Sequence, residues 1–289
     1  MMRLARPQLR LRFQERKTGD EKYVVGYAGG RPMLPNDVEW PAMGPGYVAG
    51  ATLEFVAAVD CSALPAGALD IPMPDAGTLL FFLDLWAYPT DTDSSTLIYV
   101  PPGTPVSERT RPGNSNPPAA DATPLIGEPR WCLPDDASYE FQLLNDDSRA
   151  LFLEYQVAEI APPYSIWDGG RYDESSAHEE SVVGRLCSMV LGGHAWTVQD
   201  DPMISRLPDG HPRRPVDGTS REPAATEGPH DLPLPQDVYG ENTPANGEWL
   251  LLAQLATDAD GEGHIFSWTM RREDLLNRRF DRAQWHRAS

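Results

Sequence analysis

Proline and glycine interrupt this chain so often that no long helix can run through it. Of 289 residues, 29 are proline and 24 are glycine, and the proline share is roughly twice average usage. Between the interruptions lie short apolar runs. GTLLFFLDLW at 77–86 and WLLLAQLATD at 249–258 are continuous and bounded by Gly and Asp, the pattern of strands buried on both faces. HIFSWTM at 264–270 and the segment Leu53, Phe55, Val56 and Val59 read the same way. Near the N-terminus Leu9, Leu11 and Phe13 alternate with Arg10, Arg12 and Gln14. That period of two marks a half-buried strand with a basic outer face. Phe141, Leu143 and Leu144, then 151–155, are expected to add strands around the turn NDDS. In 178–190 the residues Val182, Val183, Leu186, Met189 and Val190 fit one helical face, with Gly192-Gly193 as its stop. RREDLLNRR reads as a short amphipathic helix. Two stretches break the pattern. Residues 101–130, rich in proline from Pro101 to Pro124, are expected to be an extended connection, and 205–247, with eight prolines, a surface loop.

Charge and composition remove several classes of function. The net charge is −19, which argues against nucleic acid as a partner because phosphate recruits clustered Lys and Arg. The charge is unevenly spread. Residues 1–22 sum to +4 and residues 271–289 to +3, leaving −26 on the body between them. Basic ends are attracted to such a body and are expected to dock onto it. No apolar run approaches the ~20 residues of a membrane span, and MMRLARPQLRLRF lacks the apolar core of a secretory signal. Cys61, Cys132 and Cys187 show no CxxC spacing and no disulfide framework. They read as reduced structural thiols in a cytoplasmic protein.

Chemistry-bearing motifs are few. DADGEGHI at 258–265 matches the first eight positions of an EF-hand loop, but position twelve is Thr269 where calcium needs a bidentate acid. Asp and Gly also suit a tight turn between strands, and a hairpin accounts for the stretch better. There is no G-x-S-x-G elbow, no H-x-x-x-H and no P-loop, so neither a cofactor nor a metal is expected. His178-Glu179-Glu180, and His194 with Asp200 and Asp201, are the His–acid groupings, and both read as surface.

An internal repeat reshapes the expected fold. Gly29-Gly30-Arg31-Pro32 leads to ATLEFVAAVDCSALP and GTLLFFLDL, while Gly192-Gly193-His194-Ala195-Trp196 leads to EWLLLAQLATD and GHIFSWT. Each is a double-glycine turn, a loop, then two apolar strands. The expectation is an α+β, strand-rich single domain over residues 1–289. It would hold two pseudo-repeated half-domains (about 9–155 and 178–286) around a shared core, with few short helices and insertions at 101–130 and 205–247.

AGGRPMLPNDVEWP resembles the opening motif of the YwqG-like proteins, a bacterial family of unknown function. LGGHAWTVQDDP resembles its second double-glycine motif, and the segment from WLLLAQLATD to RFDRAQW its C-terminal third. The resemblance covers most of residues 9–286 and implies a compact, strand-rich α+β cytosolic protein without established chemistry. The family usually has a Gln in the first buried strand, where this chain has Ala58, while Gln254 keeps it in the second. A paired glutamine site would be half missing here, which favours a structural role.

Two readings of function follow. The first is a non-catalytic interaction protein whose acidic body takes a basic protein partner, of which an immunity-type protein neutralising a toxin is one example. The second is an enzyme or small-ligand receptor with a cleft between the double-glycine loops, lined by Arg31, Trp40, His194, Trp196, Gln199, Asp200 and Gln254. Tryptophans beside an arginine and an amide suit a peptide or a polar small molecule, though the same tryptophans would also fill a core beneath glycine-rich turns.

Overall fold

The structure is a computed structural model and describes residues 5–13, 24–44, 47, 50–85, 94–112, 121–134, 138, 141, 144–150, 186–197, 202, 249–257 and 264–288. Twelve strands are present among them: β1 (Arg6–Phe13), β2 (Val24–Ala28), β3 (Met33–Pro35), β4 (Glu54–Asp60), β5 (Thr78–Leu83), β6 (Ser95–Val100), β7 (Val106–Glu108), β8 (Thr123–Cys132), β9 (Leu186–Gly192), β10 (Trp249–Thr257), β11 (His264–Arg271) and β12 (Gln284–Ala288). A short helix, α1, spans Arg272–Leu276, and residues 146–150 form another helical turn. Ten strands form a single antiparallel sheet in the order β12-β11-β10-β9-β1-β8-β2-β4-β5-β6, and β3 pairs with β7 beside it.

The expected α+β class is corrected by this topology. The protein is far closer to all-β, and its strands form one continuous, nearly closed barrel-like sheet. The order reads alike outward from the central β1–β8 pair, with β9-β10-β11-β12 on one wing and β2-β4-β5-β6 on the other. The apolar segments favour this outcome because each is only 6–9 residues long and buried on both sides. Such runs satisfy their backbone groups in a ladder and their side chains on two faces.

Three local expectations are also overturned. Leu186–Gly192 is a strand, not the end of a helix. It lies between β1 and β10, and Ser188, Met189, Val190 and Leu191 are all buried. A strand covered on both faces loses its alternation, so its apolar spacing imitates a helix. Residues 178–185 lie outside the described residues. Thr123–Cys132, within the proline-rich connection, is a central strand. It tolerates Pro124 and Pro129 because β2 pairs only with Thr123–Ile126 and β1 only with Leu125–Cys132. Each proline is paired on one side alone, so a missing N–H breaks no ladder there. Finally, NDDS opens a helical turn at 146–150 in place of a strand turn. Asn145 caps it, its Oδ1 accepting the Ser148 N–H at 2.8 Å. Residues 151–155 and 205–247 lie outside the described residues.

The inward side chains of both wings meet in one cluster that includes Leu9, Leu11, Phe81, Leu255, Phe266 and Trp268. Its closing contact comes from opposite flanks. The Trp268 ring on β11 stacks edge-on against Phe81 with centroids 5.2 Å apart, and its Nε1 donates to Ser95 Oγ of β6 at 2.7 Å. Tyr99 of β6 packs on Phe280 at 5.1 Å. Burial of each such aromatic contributes roughly 1.5–3 kcal/mol. On the outer face of the β2 wing a second cluster, with Leu53, Phe55, Leu80 and Phe82, lies beneath Trp40 and Met43.

The first and last strands, β1 and β12, both belong to the ten-stranded sheet. Arg6 reaches Asp70 at 2.6 Å and Arg12 reaches Glu128 at 2.8 Å. Thr257 pairs with His264, so antiparallel strands flank 258–263 where an EF-hand would need helices. Those six residues lie outside the described residues. No helix among the described residues is long and apolar enough to cross a membrane.

Cys61 follows β4 in a turn whose start is held by Asp60 Oδ1 accepting the Ser62 N–H at 2.9 Å. Burial, joined by the Asp60 carboxylate, pushes the thiol up from 9.0 to about 12. Between those values the native state keeps a proton that the unfolded chain releases. The stability conferred by the neutral thiol is therefore complete below about pH 9 and lost as pH rises toward 12. Denaturant unfolding at about pH 8 and about pH 10.5 should show a steeper loss in the native sequence than in Cys61→Ala.

Candidate functional site

The two double-glycine turns occupy matching points of the sheet. Ala28, just before Gly29, pairs with Ala57 of β4; Leu191, just before Gly192, pairs with Ala253 of β10. Both partners directly follow a bulge, at Phe55/Ala57 and at Leu251/Ala253. The register thereby makes Ala58 the counterpart of Gln254. Gly29 and Gly30 have φ of 63° and 68°, and Gly192 and Gly193 of 63° and 73°. Two consecutive left-handed residues turn the chain off the sheet, a conformation in which any Cβ is strained.

Around Gly193 the turn is held by two buried glutamines. Gln8 of β1 donates from Nε2 to the carbonyls of Gly192 (3.0 Å) and His194 (3.2 Å), while its Oε1 accepts from Arg130 Nε at 2.9 Å. Gln254 of β10 accepts the Trp196 N–H on Oε1 at 2.9 Å and donates from Nε2 to the Trp196 carbonyl at 2.8 Å and to Ser267 Oγ at 2.9 Å. The Gln254 amide thus pairs with the Trp196 backbone as a neighbouring strand would. His194 is buried, its N–H donating to Cys132 Sγ at 3.2 Å, and that thiol donates to the Arg6 carbonyl at 3.4 Å. Burial pushes the Cys132 thiol up, so like Cys61 it is protonated at neutral pH and a poor nucleophile. The Trp196 ring packs on Ala256 and Ile265.

Around Gly30 the arrangement is more open. Arg31 is exposed and pairs with Glu108 at 2.9 Å, while Tyr27 donates its hydroxyl to the Arg31 carbonyl at 3.2 Å. A pocket of about 460 Å³ opens here, walled by Tyr27, Arg31, Met33, Glu108, Asp121 and Ala122. Trp40 belongs to a separate groove of about 480 Å³ with Val38, Glu39 and Arg109. Its Nε1 donates to the Leu53 carbonyl at 2.9 Å and its ring meets Phe82 edge-on at 5.4 Å, so it chiefly covers the apolar outer face.

The expected cleft between the two loops is not assembled. β2 is antiparallel to β8, β8 to β1, and β1 to β9, so β2 and β9 run in opposite directions. The turns that follow them leave opposite ends of the sheet. Arg31 and Trp40 therefore stand apart from His194, Trp196 and Gln254, and Gln199 and Asp200 lie outside the described residues. Sequence reasoning missed Gln8, Arg130 and Cys132, which lie beside residues 192–194 only because β1 inserts next to β9. No group of three or more His, Cys, Asp or Glu side chains among the described residues is placed to hold a metal ion.

The backbone clamp is testable. Gln254→Leu strands the Trp196 N–H and carbonyl against an apolar side chain, and each buried group left unpaired costs about 1–3 kcal/mol. Equilibrium unfolding should show a loss of that size, whereas the exposed Arg31→Leu should shift stability by only about 0.5 kcal/mol.

No curated protein matches the chain. The family described as a domain of unknown function, DUF1963, matches residues 27–286, from the end of β2 through most of β12 and across both double-glycine turns, and the chain belongs to that family.

Proposed function

We propose that this chain is a YwqG-like, non-catalytic binding protein of the cytoplasm whose partner is a basic protein. One observation carries the reading. Arg6, Arg10 and Arg12 lie in β1 and Arg287 in β12, with Arg6 and Arg12 in ion pairs to Asp70 and Glu128, while the sequence between the two basic ends carries a formal charge of −26. A field of that sign steers a cationic partner toward the surface and suppresses acidic ones. An immunity-type role, neutralising a basic toxin, is one biological form of such binding. The upward-shifted Cys61 and Cys132 thiols support a binding role over a thiol-based reaction.

The test is salt dependence of association. The full chain is immobilised, proteins captured from native lysate are identified, and the association rate of the main one is measured at low and high salt. The reading expects a strongly basic partner whose association rate falls at least about tenfold between roughly 0.05 and 0.3 M salt. A neutral or acidic partner, or a rate indifferent to salt, would overturn it.

A further inference from the structure

The two glycine turns match in backbone but not in what stands beside them. A Cβ on Gly193 would lie 2.8 Å from Gln8 Cβ, and a Cβ on Gly30 would lie 2.8 Å from Ala122 Cβ. Gln8 and Ala122 therefore flank the two turns in the same way. Gln8 extends an amide that donates to two turn carbonyls; Ala122 has nothing to extend. The second clamp is missing too, since Ala58 stands where Gln254 stands on the other wing. Where Gln8 and Gln254 close the turn at Gly193, the turn at Gly30 opens into the pocket of about 460 Å³.

We propose that this pocket receives a guanidinium group from outside, in the place that the Gln8 side chain takes beside Gly193. The Arg31 carbonyl, the counterpart of that of His194, already accepts the Tyr27 hydroxyl, so the incoming donors meet the carboxylates of the pocket wall. The walls favour a donor cation. Glu108 and Asp121 contribute two carboxylates against the single guanidinium of Arg31, which is already engaged with Glu108. Asp121 makes no ion pair among the described residues. A planar fork of N–H groups suits carboxylates and carbonyls together, and it stacks well on aromatic faces such as Tyr27. Met33 adds an exposed thioether to the rim, at 42% exposure. The guanidinium has two sources with the same chemistry: an arginine side chain of a protein partner, or a free arginine-like metabolite. The first form deepens the basic-partner reading and rests on it; the second does not.

The experiment titrates the full chain with N-acetyl-arginine amide and follows it by NMR shifts or calorimetry. Ala122→Gln is the central variant, because it restores the plug at an exposed position where the fold should tolerate it, as its melting temperature will show. The native chain should bind saturably on the order of millimolar Kd. Binding should weaken at least about fivefold in Ala122→Gln and in Asp121→Asn, and at least about tenfold when the ligand is the neutral isostere N-acetyl-citrulline amide. No saturation, equal affinity for Ala122→Gln, or equal affinity for the citrulline compound would overturn the proposal. If a basic protein also loses affinity for Ala122→Gln, the guanidinium comes from a partner; if only the small ligand does, it comes from a metabolite. Should a basic protein bind both chains alike while the arginine amide fails to bind, the pocket proposal falls and the acidic-binder reading stands.

Discussion

The structure depends on where β1 goes. The first strand of the chain does not extend an edge; it enters the middle of the sheet, between β8 and β9. Leu9 pairs with Pro129 on one side and Leu191 on the other, partners 120 or more residues away. Without β1, the wing that begins at β9 has no ladder joining it to the wing that ends at β6. Its inward Leu9 and Leu11 are fully buried in the shared core, and its outward Gln8 holds the Gly193 turn. One strand thus supplies backbone continuity, core packing and a buried polar clamp. The loop closures that bring it there are long, and their entropy must be recovered from those contacts.

Among the described residues the interior around β1 is packed with apolar side chains. Trp268 and Phe81 fill it from opposite flanks. Among the described residues, pockets open beside the turn at Gly30 and beside Trp40. At the glycine turns the matching backbone of the two wings makes small side-chain differences consequential. Glutamines at 8 and 254 make four hydrogen bonds to the backbone of one turn; at the other, Ala122 lines an open pocket. Polar groups that close a site on one wing define by their absence what the other wing is shaped to accept.

Much of the strand pattern was legible in the residues. β4, β5, β10 and β11 were visible because their apolar runs are continuous, and β1 because Leu9, Leu11 and Phe13 alternate with polar neighbours. The glycine pairs were legible as turns, and both carry the left-handed geometry only glycine adopts easily. β9 was read as a helix end because burial on both faces erases the two-residue period. β8 was hidden by Pro124 and Pro129, whose tolerance rests on one-sided pairing set by the ends of β1 and β2. The site was less legible still. Arg31 and Trp40 lie near openings, but the partnership of Gln8 with Gly192 spans 184 residues, and nothing local to either segment encodes it. The shared cleft failed for a related reason: the direction of β2 relative to β9 follows from the insertion of β1 and β8 between them.

Native-state amide hydrogen exchange tests the central role of β1 most directly. Residues 8–11 have a paired strand on both sides, so the amides of Leu9 and Leu11 should exchange only through global unfolding, as slowly as those of Phe81 and Leu255. Exchange at Leu9 and Leu11 about a hundredfold faster than at Phe81 and Leu255 would show that β1 detaches while the barrel persists, and would contradict the account.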